Sequence, residues 1–136
     1  MQILPSGLPD EVDRQEDLAR FLTQSSHFSR TIPKPSAFLP SIRSRETSIS
    51  RHGENPADNL WAIGLAVASG RPLYGAAIFK ALHVAQAGLE VVADEPPDRH
   101  AAIRGWPWID TDPEMQKARQ KEKAAILAIK SNLVLR

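Results

Sequence analysis

Two stretches of the chain alternate between apolar and polar residues with period two, and four read with the spacing or end signals of helices. In Glu46–His52 (ETSISRH), Thr47, Ile49 and Arg51 lie on one side and Ser48, Ser50 and His52 on the other, the period of a strand. His100–Arg104 (HAAIR) alternates in the same way. Leu89–Ala93 (LEVVA) is rich in β-branched residues and directly follows Gly88, so it reads as a strand antiparallel to His100–Arg104 across a short loop.

Helical spacing is clearest where Leu60, Trp61, Gly64, Leu65 and Ala68 share one face, with Asn55-Pro56-Ala57-Asp58 as the start signal and Gly70 as the stop. Asp112-Pro113-Glu114 opens a long last helix running to about Asn132, charged in its first half and apolar in its second (AAILAI). Its apolar end, with Leu133, Val134 and Leu135, reads as core. Val12, Leu18, Phe21 and Leu22 predict a first helix over Asp10–Gln24 capped by Asp10. Tyr74–Phe79 reads as a short extended entry to a helix over Lys80–Ala87. Residues 1–9 read as an extended arm, and residues 25–45 as a proline-rich irregular crossing with one extended piece at Ser36–Leu39.

These elements predict an α+β domain spanning 1–136. Its small mixed sheet of about three or four short strands would pack against three or four helices, the last one long. At 136 residues one domain is the default size. The 11 prolines mark ordered loops and edges rather than strand centres.

Composition narrows the function classes. The absence of cysteine excludes a disulfide framework and thiolate metal sites. No apolar run approaches the ~20 residues of a membrane span, and the acidic N-terminus lacks the form of a signal peptide. A cytoplasmic protein with no membrane role is expected. The net charge of +1 argues against a dedicated nucleic-acid binder. Bases nevertheless concentrate in residues 25–51 and 115–136, leaving weak RNA or DNA binding as a third possibility.

Three positions invite chemistry. Asp94, Glu95, Asp98 and His100 cluster between two strands, where carboxylates and an imidazole can bind a divalent metal or exchange protons. Pro96-Pro97 splays the acids, no second His stands at ligand spacing, and a solvated turn accounts for the same residues; no metal and no cofactor are expected. Arg51 and His52 stand beside Ser48 and Ser50, but nothing resembles the strained turn that exposes a catalytic serine. Trp106-Pro107-Trp108 offers two indoles that can either close a core or anchor a partner.

The pieces Ser48-x-x-Arg51-His52, Leu60-Trp61-x-x-Gly64, Tyr74-Gly75-x-Ala77, Gly88-Leu89-x-Val91 and Asp94-Glu95-Pro96-Pro97 precede His100-Ala101-x-Ile103-x-Gly105-Trp106-Pro107. Together, over residues 46–108, they resemble a pattern in small, poorly characterised bacterial proteins. The resemblance implies a bacterial, cytoplasmic setting and brings no activity. The leading expectation is a non-enzymatic interaction subunit that docks on a larger protein through Phe38, Trp106, Trp108, Leu133 and Leu135. The alternative is a small enzyme acting on a phosphorylated or nucleotide substrate. In that reading Arg51 neutralises phosphate while His52, His100 and Glu95 handle protons, which requires the two imidazoles to converge.

Overall fold

The structure is a computed structural model that describes residues 1–53 and 59–136; the helix start expected at Asn55–Asp58 falls outside them. Six strands form one sheet: β1 (Asp17–Leu22), β2 (Thr47–Gly53), β3 (Gly75–Lys80), β4 (Glu90–Ala93), β5 (His100–Arg104) and β6 (Asn132–Leu135). Their order is β4-β5-β2-β1-β3-β6, and every neighbouring pair is antiparallel. The α+β class holds, but the sheet is larger than the three or four strands expected and antiparallel rather than mixed. Three α-helices accompany it among the described residues: α1 (Leu60–Ala68), α2 (Ala81–Gln86) and α3 (Pro113–Lys130).

The largest correction falls on the N-terminal quarter, where the helix over Asp10–Gln24 does not form. Residues 10–16 turn, and 17–22 become β1, near the middle of the sheet. Leu18 and Leu22 enter one core, while Ala19 and Phe21 enter the other. A strand buried on both faces shows no polar alternation, so its apolar positions match a helical pattern equally well. The arm before it is not simply extended: Ile3 bridges Pro9, and Gly7 donates to the Leu4 carbonyl at 2.8 Å, folding the arm back on itself.

Each face of the sheet carries its own layer. Leu18, Leu22, Ile49, Ala77, Phe79 and Ile103 meet Val84 of α2 and Leu127 of α3 on one side. Phe38 packs in this layer at 5.6 Å, edge to face, from Phe79. It follows a 3-10 turn at Pro35–Ala37, where an extended piece was expected. On the other side α1 covers only β1 and β3, through Leu60, Ala68, Ala19, Phe21, Leu73 and Ala76. Gly64 permits this approach: a Cβ there would stand 2.6 Å from the Phe21 ring.

At the C-terminus Asp112 accepts a hydrogen bond from Met115 N at 3.0 Å, with Pro113 at the first helical position, as its sequence signal requires. The helix ends at Lys130 rather than Asn132. The tail becomes edge strand β6 against β3, with Leu133 packed on the core but Val134 and Leu135 exposed.

Candidate functional site

The alternation read in β2 determines where its polar residues go. Ala19 pairs with Ser50 and Leu18 with Arg51, so Ser48, Ser50 and His52 share the α1 face and Arg51 the opposite one. Because α1 lies over β1 and β3, the β2–β5 part of its face has no helical cover among the described residues. There Ser50 pairs with His100. A cleft of about 440 Å³ opens between these two residues, the Ala62–Val67 side of α1 and the Pro97–Arg99 loop. Beside it lies a second pocket of about 100 Å³. The two share Ser50, Val67 and His100.

The smaller pocket is cationic. Its lining includes Arg20, Arg71, His27 and His100, with the hydroxyl residues Thr23, Ser48 and Ser50, and no carboxylate among the described residues. Arg20 sits where β1 and β2 part. Their ladder joins Asp17, Leu18 and Ala19 to Gly53, Arg51 and Ser50. Beyond it the Arg20 guanidinium spans the gap, Nε donating to Ala37 O at 2.8 Å and Nη1 to Ser48 O at 2.9 Å. Arg71 closes α1, donating from Nε to Ala68 O at 2.9 Å and from Nη2 to Val67 O at 3.0 Å. Among the described residues neither guanidinium has an ion-pair partner. Burial, and then the Arg71 charge, push the Arg20 guanidinium below its usual pKa. Burial and the Arg20 charge do the same to His27. Both shifts have the sign that a site lacking negative charge produces.

His100 is held in a defined tautomer. Its Nδ1 lies 2.9 Å from the main-chain oxygen of Asp94 and 3.3 Å from the Asp94 carboxylate. A carbonyl oxygen only accepts, so Nδ1 carries the proton, and in the neutral ring Nε2 is left as an acceptor.

The other residues named from sequence are placed differently. Arg51 is fully buried: Nε and Nη2 bind the Glu16 carboxylate at 2.6 and 2.9 Å, and Nη1 binds Pro9 O at 2.6 Å. That replaces the expected phosphate contact with an internal ion pair tying the arm to the sheet. His52 shares a sheet face with His100, as convergence requires, but it lines neither cavity. It lies against the Phe21 ring at 6.2 Å, its Nε2 buried and without a hydrogen-bond partner among the described residues. Burial and the Arg99 charge, partly offset by Asp17, lower its pKa to about 4, so it is neutral at physiological pH. Glu95 accepts from the Ser6 amide and hydroxyl. Burial raises its pKa, but those hydrogen bonds, with one from the Arg99 backbone and the Arg51 charge, outweigh burial and leave it lowered.

Asp94, Glu95, Asp98 and His100 therefore do not converge as a ligand set, and among the described residues no group of three such side chains could hold a metal ion. Of the expected docking residues, Phe38 and Trp106 belong to the core. Trp108 is half-buried beneath the Arg45 guanidinium at 4.6 Å, and Leu133 is half-buried; Leu135 is exposed. Sequence reading missed Arg20, Arg71 and His27. Only Arg20 left a signal, as the one charge inside the apolar run Leu18–Leu22. Comparison with protein-family models, curated proteins and solved structures finds no match to this chain.

Proposed function

We propose that this protein binds a small phosphate-bearing ligand in the cleft between α1 and the β2–β5 half of the sheet. The observation that carries the reading is the pair Arg20 and Arg71, which line one small pocket and have, among the described residues, no carboxylate to neutralise them. Each keeps donors uncommitted: Nη2 of Arg20 and Nη1 of Arg71 enter no described hydrogen bond. Arginine's planar fork matches phosphate oxygens, and such contacts strengthen where water is partly excluded. Ser48, Ser50 and Thr23 add hydroxyl donors around the same space.

This reading keeps the phosphorylated substrate foreseen from sequence while replacing its cation. Arg20 and Arg71 take the role first given to Arg51. His100, with its proton on Nδ1 and Nε2 left as an acceptor, is a residue lining the cleft that can move a proton on a bound ligand. Titration with inorganic phosphate, followed by calorimetry and thermal unfolding, tests the proposal. Binding to the native state alone raises its stability by RT ln(1 + [L]/Kd), so phosphate should raise the melting temperature in step with the measured affinity. A chain indifferent to phosphate in both assays refutes it.

A second reading, docking on a larger protein partner, draws support from Ile129 and Leu135, which are 81% and 54% exposed close to edge strand β6. Leu135→Lys should then abolish co-purification of a stoichiometric partner.

A further inference from the structure

We infer that the ligand is a phosphate monoester carrying a single compact, largely apolar body, of the nucleoside monophosphate class. This rests on the anion-binding reading above and goes further by assigning the larger cleft.

The two cavities differ in chemistry as sharply as in size. The smaller, at about 100 Å³, has room for one tetrahedral anion and is lined by Arg20 and Arg71. The larger, at about 440 Å³, falls within the range of small-molecule sites, roughly 300–1,000 Å³. One wall of it is Ala62, Ile63, Ala66 and Val67 of α1, a helix without a charged residue from Leu60 to Ala68. Ala62, Ala66 and Val67 remain exposed there, an apolar strip beside a cationic pocket. A phosphate alone would leave this wall wet, whereas a flat apolar group attached to the phosphate would cover it.

Charge also sets the ligand's direction. Asp98 and Arg99 in the larger cleft cancel in net charge. The uncompensated positive charge lies at the other end, so one anionic head is drawn toward Arg20 and Arg71. The larger cleft thus offers no net positive charge to hold a second anionic group. Asn59 and the Asp98 carboxylate instead offer an amide and an acceptor, suited to hydroxyl and amino groups of the kind a nucleoside presents. Ser50, Val67 and His100, common to both cavities, mark where the ester linkage crosses. That puts the phosphate ester beside the His100 imidazole.

The test is calorimetric titration of the full chain with inorganic phosphate, four nucleoside 5′-monophosphates and the corresponding nucleosides, repeated on Ala66→Trp and Arg71→Gln. At least one monophosphate should bind tenfold or more tighter than phosphate, and its nucleoside more weakly than the monophosphate. Ala66→Trp, an exposed position, should bring that monophosphate down to the affinity of phosphate and leave phosphate itself unchanged. Arg71→Gln should weaken both. If phosphate binds but no monophosphate exceeds it by threefold, the assignment of the larger cleft is overturned and the anion site stands. If Ala66→Trp leaves the monophosphate's advantage intact, the body lies elsewhere and the inference fails. If neither phosphate nor any monophosphate binds, the anion-binding reading falls with it.

Discussion

Arg20 and Arg51 stand on adjacent strands and are both removed from most solvent, yet their charges are handled in opposite ways. Arg51 meets Glu16 through Nε and Nη2 and the Pro9 carbonyl through Nη1, with Nη2 also reaching Glu11 O, a closed ion pair beneath the N-terminal fold-back. Among the described residues Arg20 meets only carbonyl oxygens, and the charge that acts on it is that of another arginine, Arg71. A buried ion pair costs about as much in desolvation as it regains, so its worth lies in what it holds together. A buried cation without a counter-ion remains poised to receive one. The first arrangement reads as architecture, the second as a site.

The largest effect should come from breaking the closed pair. Glu16→Ala strands the Arg51 guanidinium and should cost about 3–5 kcal/mol in denaturant unfolding. Replacing both partners by leucine should cost far less, and a double-mutant cycle measures the difference.

Next in size is the acid response of the region between the two arginines. His52 has a folded pKa of about 4, below its unfolded value of roughly 6.5. The unfolded chain therefore binds the extra proton first as pH falls. Stability from this group is full above the unfolded pKa and is lost between about pH 6.5 and 4, by about 3 kcal/mol. His27 and His83, both lowered by burial first, act with the same sign. His52→Phe should flatten this part of the stability–pH profile; an unchanged slope would assign it to other groups.

Gly64→Ala comes third. Its Cβ would meet the Phe21 ring and Leu73 within 2.9 Å, so α1 or Phe21 must shift, at about 1–3 kcal/mol. Because Phe21 lines the smaller pocket, phosphate affinity should fall together with stability. Smallest in stability is Arg71→Gln. It loses two carbonyl contacts at the end of α1 but relieves the repulsion on Arg20, for a net change within about 0.5 kcal/mol. Its phosphate affinity should nonetheless drop at least tenfold. That split between stability and binding is what separates the open site from the closed pair, since Glu16→Ala acts mainly on stability.

The same contrast governs how much of the protein is legible in its sequence. Local signals carried β2, β5, the β4–β5 pairing and the capped start of α3, because alternation and cap chemistry are set by residues a few positions apart. They failed at β1, whose two buried faces erase the alternation, and at β6, whose four residues are too few for any period. Within the site, the sequence brought Ser48, Ser50 and His100 into view but not their company. Arg20, His27 and Arg71 come from three separate segments, and nothing in their spacing announces a shared pocket.

By itself, then, the sequence determined the α+β class, which residues of β2 share a side, and the lack of thiolate chemistry. Each of these follows from composition or short-range periodicity. Tertiary structure decided which arginine was neutralised. Glu16 and Arg51 are 35 positions apart and Arg20 and Arg71 are 51 apart, so pairing in one case and its absence in the other come from strand order. Placing β1 between β2 and β3 brings Glu16 to Arg51, and among the described residues it leaves the β2–β5 half of the α1 face without a helical cover.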